Sequence, residues 1–307
     1  VSALLDRRLI FVTGKGGVGK STVATALGML AARRGLRTIV AELSAQDRVQ
    51  RAFDYRGAQF RELELAPDLF TISIDPQHAM DEYLRIKTGP LGHTIGSTKI
   101  FQAFAMATPG LRELLSIGKV WELAQFERQT KAPPYDLVVV DAPATGHGVG
   151  VLRTPRTFAE IARVGPIARQ AGKIATTIAD RAFTAIVAVA TAEEMPINET
   201  IALSNALLDD GLALDAVVLN ALYPARFSDD EAGQLTDAME VADSAPVRGA
   251  LRAALSEHLR AATQREQRER LREELDAPLL ELPYVFAEDL AQPELEHLAD
   301  ALESVLA

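Results

Sequence analysis

LIFVTGKGGVGKST, residues 9–22, decides how the rest of the chain is read. Its first five residues are mostly large and apolar or β-branched; they run into a glycine-dense loop, and the residues that follow, 23–34, are helix formers. Strand, loop and helix in that order are the setting in which G-x-x-x-x-G-K-[ST] marks a phosphate-binding loop. Here the motif reads Gly14-Lys15-Gly16-Gly17-Val18-Gly19-Lys20-Ser21, with Thr22 completing the run. Without Cβ atoms the glycines can turn successive N–H groups inward, forming a nest for an anion. The N-terminal end of the helix behind them adds partial positive charge. Lys20 is expected to reach the β- and γ-phosphates of a bound nucleotide, and Ser21 to give its hydroxyl to Mg²⁺.

Composition narrows the class. The chain of 307 residues is 48% hydrophobic and 24% charged, an ordinary globular balance. Its net charge of −10 speaks against nucleic-acid binding, which needs a basic face. With no cysteine there is no disulfide, thiolate metal site or cysteine nucleophile. The histidines are scattered, without ligand spacing, and no apolar run approaches a membrane span. No signal peptide and no membrane insertion are expected, and the expected location is cytoplasmic.

Outward from the loop, residues 38–42, 69–74, 135–141, 185–190, 214–220 and 279–285 read as further buried strands. Helical stretches separate them: 75–127 with interruptions near 88–92 and 109–110, 154–183, 197–209, 228–275 and 293–306. Within these, 266–272 reads as a solvated charged face. Strands alternating with helices predict an α/β fold with a doubly wound, mostly parallel sheet. The strand at 135–141 ends in Asp141, the Walker B arrangement, where a carboxylate beside the phosphate loop can hold a water on Mg²⁺. Residues 141–147 (DAPATGH) read as a loop able to move with the γ-phosphate. The dense apolar run around Phe101, Phe104, Leu111 and Trp121 can either line a groove or form the core of a helical layer, and the core reading is the more ordinary one.

Lys15 is a second cation inside the loop, where Lys20 and the amides already suffice for phosphate. GKGGVGKST resembles the deviant Walker A loop of a dimeric class of nucleotide switches. The resemblance implies that Lys15 crosses a dimer interface to the partner's nucleotide and neutralises charge there, as an arginine finger does. A solvated lysine at a loop tip is the plainer alternative. Together with DAPATGH at 141–147, PGLRE at 109–113 and Asn220, the loop gives a chain similar to the ArsA-type family. That family includes arsenite-pump ATPases and the GET-pathway ATPase for tail-anchored membrane proteins. The resemblance spans nearly the whole length as a single ATPase unit, residues 1–307. It implies a P-loop NTPase with an inserted helical layer, formed by insertions at about 76–130 and 154–183, and ATP or ADP with Mg²⁺ as ligands. Gly14, Gly16, Gly17, Val18, Gly19, Lys20, Ser21 and Thr22 would hold the phosphates, and Ser21 and Asp141 the metal. Asn220 would read the adenine, with backbone near Pro283 flanking the base; a strand-ending turn residue is the plainer reading of Asn220.

The chain also departs from the family. Lacking cysteine, it has neither the arsenite site nor the zinc-holding pair. Ser44 stands where the first switch normally carries the aspartate that orients water, so Asp47 or Glu42 would have to substitute, and Asp47 is taken as the catalytic candidate with Lys15 and Lys20. Slow or partner-dependent hydrolysis follows. The expected function is a Mg²⁺-dependent dimeric ATPase coupled to a hydrophobic or membrane-protein client. The alternatives are a low-activity subunit of a heterodimer with a related chain, or a positioning ATPase of the ParA/MinD kind. The absence of Lys and Arg from residues 294–307 disfavours a basic membrane helix there.

Overall fold

Apolar runs that must be covered on both sides form parallel strands between helical layers. A computed structural model describes residues 4–43, 47–57, 60–88, 110–162 and 166–306; at 87, 88, 145–148, 162, 166 and 167 it describes the backbone alone. The strands are β1 (Leu9–Gly14), β2 (Thr38–Glu42), β3 (Leu63–Ala66), β4 (Leu69–Ser73), β5 (Leu137–Asp141), β6 (Thr184–Thr191), β7 (Ala216–Leu222) and β8 (Leu279–Pro283). The helices are α1 (Lys20–Arg33), α2 (Arg48–Ala52), α3 (Pro76–Thr88), α4 (Leu111–Leu123), α5 (Thr145–Ala162), α6 (Pro166–Ala179), α7 (Glu194–Asp209), α8 (Asp229–Val241), α9 (Ala245–Glu274) and α10 (Gln292–Leu306). Among the described residues they build one eight-stranded sheet in the order β3-β4-β2-β5-β1-β6-β7-β8.

Alternation along each strand divides the core in two. Leu9 and Phe11 of β1 face a cluster completed by Ile117, Val120 and Leu123 of α4, Ile174 of α6 and Ile197 of α7. Ile10 and Val12 face the opposite cluster, closed by Val23, Leu27 and Leu30 of α1 and by Leu298 and Leu302 of α10. β1 lies between β5 and β6, parallel to both, so its carboxyl end opens in the middle of the sheet. Ligand sites of open α/β sheets form at that end of the strands.

Several sequence expectations shift. β3 was not foreseen: it is four residues long, antiparallel to β4 on the sheet edge, and only half-buried, so it carries no continuous apolar run. Residues 141–147 are not all loop, because α5 starts at Thr145, earlier than the predicted 154. The stretch 228–275 is broken at 242–244 into α8 and α9; α8 starts with a capping box in which Ser228 and Glu231 bond each other's backbone N–H. Leu271, inside the face read as solvated, is fully buried. Of the apolar run, Leu114, Ile117, Val120 and Leu123 belong to the core, whereas Phe101 and Phe104 lie outside the described residues.

A largely buried ionic cluster ties α4 to α3 and to the residues that lead into β3 and β5. Arg128, with a fully buried side chain, donates to both oxygens of Glu62 at 2.5 and 2.8 Å and to Glu122 at 3.0 Å. The Tyr135 hydroxyl donates to Glu62 at 2.8 Å, and Lys119 bridges Glu82 and Glu122 at 2.6 and 3.2 Å.

Candidate functional site

β1 delivers the loop at Gly14, whose φ of +141° and position against β6 both exclude a side chain: a Cβ there would sit 2.2 Å from the Val189 carbonyl oxygen. Gly19 closes the loop as the N-cap of α1, left-handed at φ +91° and without a side-chain cap bond. The first N–H groups of α1 therefore face the loop without a capping side chain, which is the arrangement that receives an anion. Gly16 and Gly17 between them are exposed, and nothing lies within 4 Å of a Cβ built on Gly17.

Lys20, the first residue of α1, folds back so that Nζ donates to the Lys15 carbonyl at 2.8 Å. Burial lowers its pKa; the Asp141 charge opposes that, and Arg48 adds to it. Ser21 Oγ donates to Asp141 Oδ2 at 2.5 Å. Asp141, at the end of β5, is 3% exposed; burial raises its pKa, against the hydrogen bond from Ser21 and the charges of Lys20 and Arg48. A hydroxyl and a carboxylate this close, next to the loop amides, are hard oxygen donors of the kind Mg²⁺ takes together with phosphate oxygens and waters. The residues present fit that ion.

Lys15 points elsewhere. Its Nζ lies 2.7 Å from Glu199 Oε1 and 3.3 Å from Met195 Sδ, both on α7. Asn220, near the end of β7, donates its amide to the Val18 carbonyl at 2.9 Å, so it holds the phosphate loop. Pro283 ends β8 and pairs with Leu222. Beyond it the rings of Tyr223 and Tyr284 stack with centroids 4.6 Å apart. Sequence reading missed Gln264 of α9, whose side-chain amide accepts from Tyr223 N at 2.8 Å and donates to the Ala221 carbonyl at 3.1 Å. It fixes a bulge at which Ala221 takes a left-handed φ of 58°. Nothing in a glutamine on a charged helix announces that role.

The first switch is partly visible. Ser44 lies outside the described residues, as do the side chains of Thr145 and His147. Asp47 precedes α2 at φ 50°, with its Oδ1 buried and lacking a hydrogen-bond partner among the described residues. Glu42, at the end of β2, is fully buried and accepts from Arg48 N at 2.8 Å. Burial pushes its pKa up to about 7; the backbone bonds from Arg48 and Val49 oppose the rise, and the Asp141 and Asp47 charges reinforce it.

Substituting Gly19 tests the loop. In Gly19→Ala the new Cβ would lie 2.2 Å from Asn220 Nδ2, in a left-handed conformation that disfavours alanine. The strain and the displaced Asn220 bond should weaken ATP binding about tenfold or more, with the fold retained. Fluorescent-nucleotide titration beside circular dichroism measures both; unchanged affinity would mean that the loop tolerates the displacement.

A glycine loop between a central parallel strand and an uncapped helix, faced by Asp141 on the neighbouring strand, defines a P-loop NTPase fold of the α/β class. The family model described as anion-transporting ATPase, of the ArsA type, matches residues 7–168 and 159–243. The chain belongs to this family. Over 306 residues it is 30% identical to the ATPase BagA of Mycobacterium tuberculosis, covering 92% of this chain and 89% of that one. It is 27% identical over 241 residues to a putative arsenical pump-driving ATPase of Halobacterium salinarum, covering 73% of this chain and 36% of that protein. It is also 27% identical over 177 residues to the ATPase get3 of Botryotinia fuckeliana, covering 56% of this chain and 50% of that one. No helix among the described residues is long and apolar enough to cross a membrane.

Proposed function

We propose that the chain is a Mg²⁺-dependent ATPase that works as a dimer in the cytoplasm, its binding of ATP and ADP coupled to a hydrophobic or membrane-protein client. The observation that carries this reading is the pair of lysines. Lys20 turns into the loop and Lys15 turns out of it, held 2.7 Å from Glu199. Lys15 is thus on the surface side of its own loop, 26% exposed, where a second chain can meet it. Loop amides and Lys20 bind the phosphates, and Ser21 and Asp141 hold Mg²⁺. When bound, that ion neutralises charge on the β- and γ-phosphate oxygens. Asn220 and the backbone at Pro283 take the base, and Lys15 completes the partner's site.

The client surface proposed is the cleft between α3, α4 and α6, lined by Met80, Tyr83, Leu84, Leu111, Leu115 and Trp121. Its lining is overwhelmingly apolar, as a groove for a hydrophobic helix requires. A second reading, a low-activity subunit paired with a related chain, draws support from the first switch: Asp47 sits in a strained turn rather than on a strand end.

ATP turnover per chain, measured with Mg²⁺ across a wide range of protein concentration, tests the main reading. A rate per chain that climbs with concentration supports the homodimer. Nucleotide binding without turnover at any concentration favours the subunit reading instead.

A further inference from the structure

The carboxyl edge of the sheet carries a row of polar side chains that the loop and Asp141 do not account for. In register, Glu42 of β2 lies beside Ser73 of β4 on one side and Asp141 of β5 on the other. Directly paired residues of parallel strands project to the same face. Two residues earlier, Val40 and Val139 pack into the cluster under α1, so Glu42 and Asp141 project to the face on which α1 begins. Ser21, in the first turn of α1, already bonds Asp141.

Glu42 is 0% exposed. Both backbone partners at the start of α2, Arg48 N and Val49 N, act on this carboxylate, and Arg48 N donates to Oε1 at 2.8 Å. The other oxygen, Oε2, is buried with no hydrogen-bond partner among the described residues, and the adjacent Ser73 Oγ is in the same condition. A buried carboxylate oxygen left without a donor costs several kcal/mol and persists where something else supplies the donor or the charge. Capping α2 explains one oxygen only. A methyl-bearing side chain would fill the same space without that penalty.

We propose that Glu42 is a positioning residue of the metal site: its Oε2 receives a hydrogen bond from a water held by Mg²⁺, extending the Ser21–Asp141 pair to a third side chain. Its Oε1 then ties the occupied site to α2 through Arg48 N, so that metal binding is felt at the entry to the first switch. Mg²⁺ keeps several waters in such sites, and groups that hold those waters matter to affinity nearly as much as direct ligands do. The inference rests on the ATPase reading above, because it needs a metal–nucleotide complex in the loop.

The test is binding of a fluorescent ATP analogue to the purified full chain, titrated with Mg²⁺ and repeated in EDTA. Glu42→Gln keeps an oxygen for Arg48 N and removes the acceptor at Oε2. It should raise the Mg²⁺ midpoint about tenfold or more, with metal-free nucleotide affinity the same or tighter. A lowered melting temperature with an unmoved Mg²⁺ midpoint would reduce Glu42 to a helix cap and overturn the inference. If Glu42→Gln does not fold, hydrogen exchange on the unsubstituted chain decides. With nucleotide present, added Mg²⁺ should slow exchange at the amides of residues 48–53, and unchanged exchange there would overturn the inference. An unsubstituted chain whose nucleotide binding ignores Mg²⁺ would sink the ATPase reading itself, a result distinct from either.

Discussion

Lys15→Ala protein should bind ATP almost as well as the unsubstituted chain and hydrolyse it about 10³-fold more slowly. The size follows from the class of group: a cation supplied across an interface to phosphoryl transfer contributes about 10³–10⁵ in rate. The retained affinity follows from the geometry, since Lys20, the loop amides and the open N-terminus of α1 stay in place without Lys15. Folding should hardly respond, because the Lys15–Glu199 pair is partly exposed and such pairs contribute little. Mixing separates a trans role from a cis one. Lys20→Ala chains bind nucleotide poorly but carry Lys15, so adding them to Lys15→Ala chains should restore part of the turnover. No recovery, with mixed dimers demonstrated by cross-linking, would assign Lys15 to its own loop.

Arg128→Met should be the most damaging single substitution away from the site. It leaves Glu62, whose side chain is 25% exposed, and the buried Glu122 with only the charge of Lys119 between them. Removing one partner of a buried ion pair costs about 3–5 kcal/mol. The thermal midpoint should fall by about 5–10 °C, and an unchanged midpoint would show that solvent reaches the cluster. The pH dependence carries the sign. Burial alone would push Glu62 and Glu122 up, but the hydrogen bonds and charge of Arg128, with Lys119, outweigh it and hold both below the usual carboxylate range. Their contribution is therefore complete above the ordinary carboxylate pKa and is lost as pH falls below it. Glu42 works the other way. With its pKa raised to about 7, its contribution is complete only below the ordinary carboxylate pKa and is lost progressively as pH rises from there to about 7. The nucleotide-free protein should thus be most stable near about pH 5 and lose stability on either side, and Arg128→Met should lose the acid limb of that profile.

What the sequence made legible is what lies close together along it. The phosphate loop is one uninterrupted stretch, and β1, β2, β4, β5 and β6 are buried along nearly their whole length because helices cover both of their faces. β3 escaped because an edge strand of four residues needs only one apolar side. The ionic cluster escaped for a different reason: Glu62, Glu82, Arg128 and the pair Lys119 and Glu122 come from different segments, each reading alone as exposed and polar, and nothing in the strand that begins at Tyr135 points to them. The same holds for the Glu42–Ser73–Asp141 row, which exists only once three strands are in register. Gly19 was visible as a loop glycine, but the contact that requires it is with Asn220, at the other end of the chain.

The bond from Asn220 to Val18 has a bearing on nucleotide choice. A primary amide free to turn over can offer donor and acceptor in either order, and so suits adenine and guanine alike. The Val18 carbonyl accepts only the NH₂ end, which forbids the flip. If Asn220 reads the base as proposed, one hydrogen and the carbonyl oxygen would face it in a single fixed order. The loop that cradles the phosphates would thereby also set which purine the far end of the site accepts, and loosening one would blur the other.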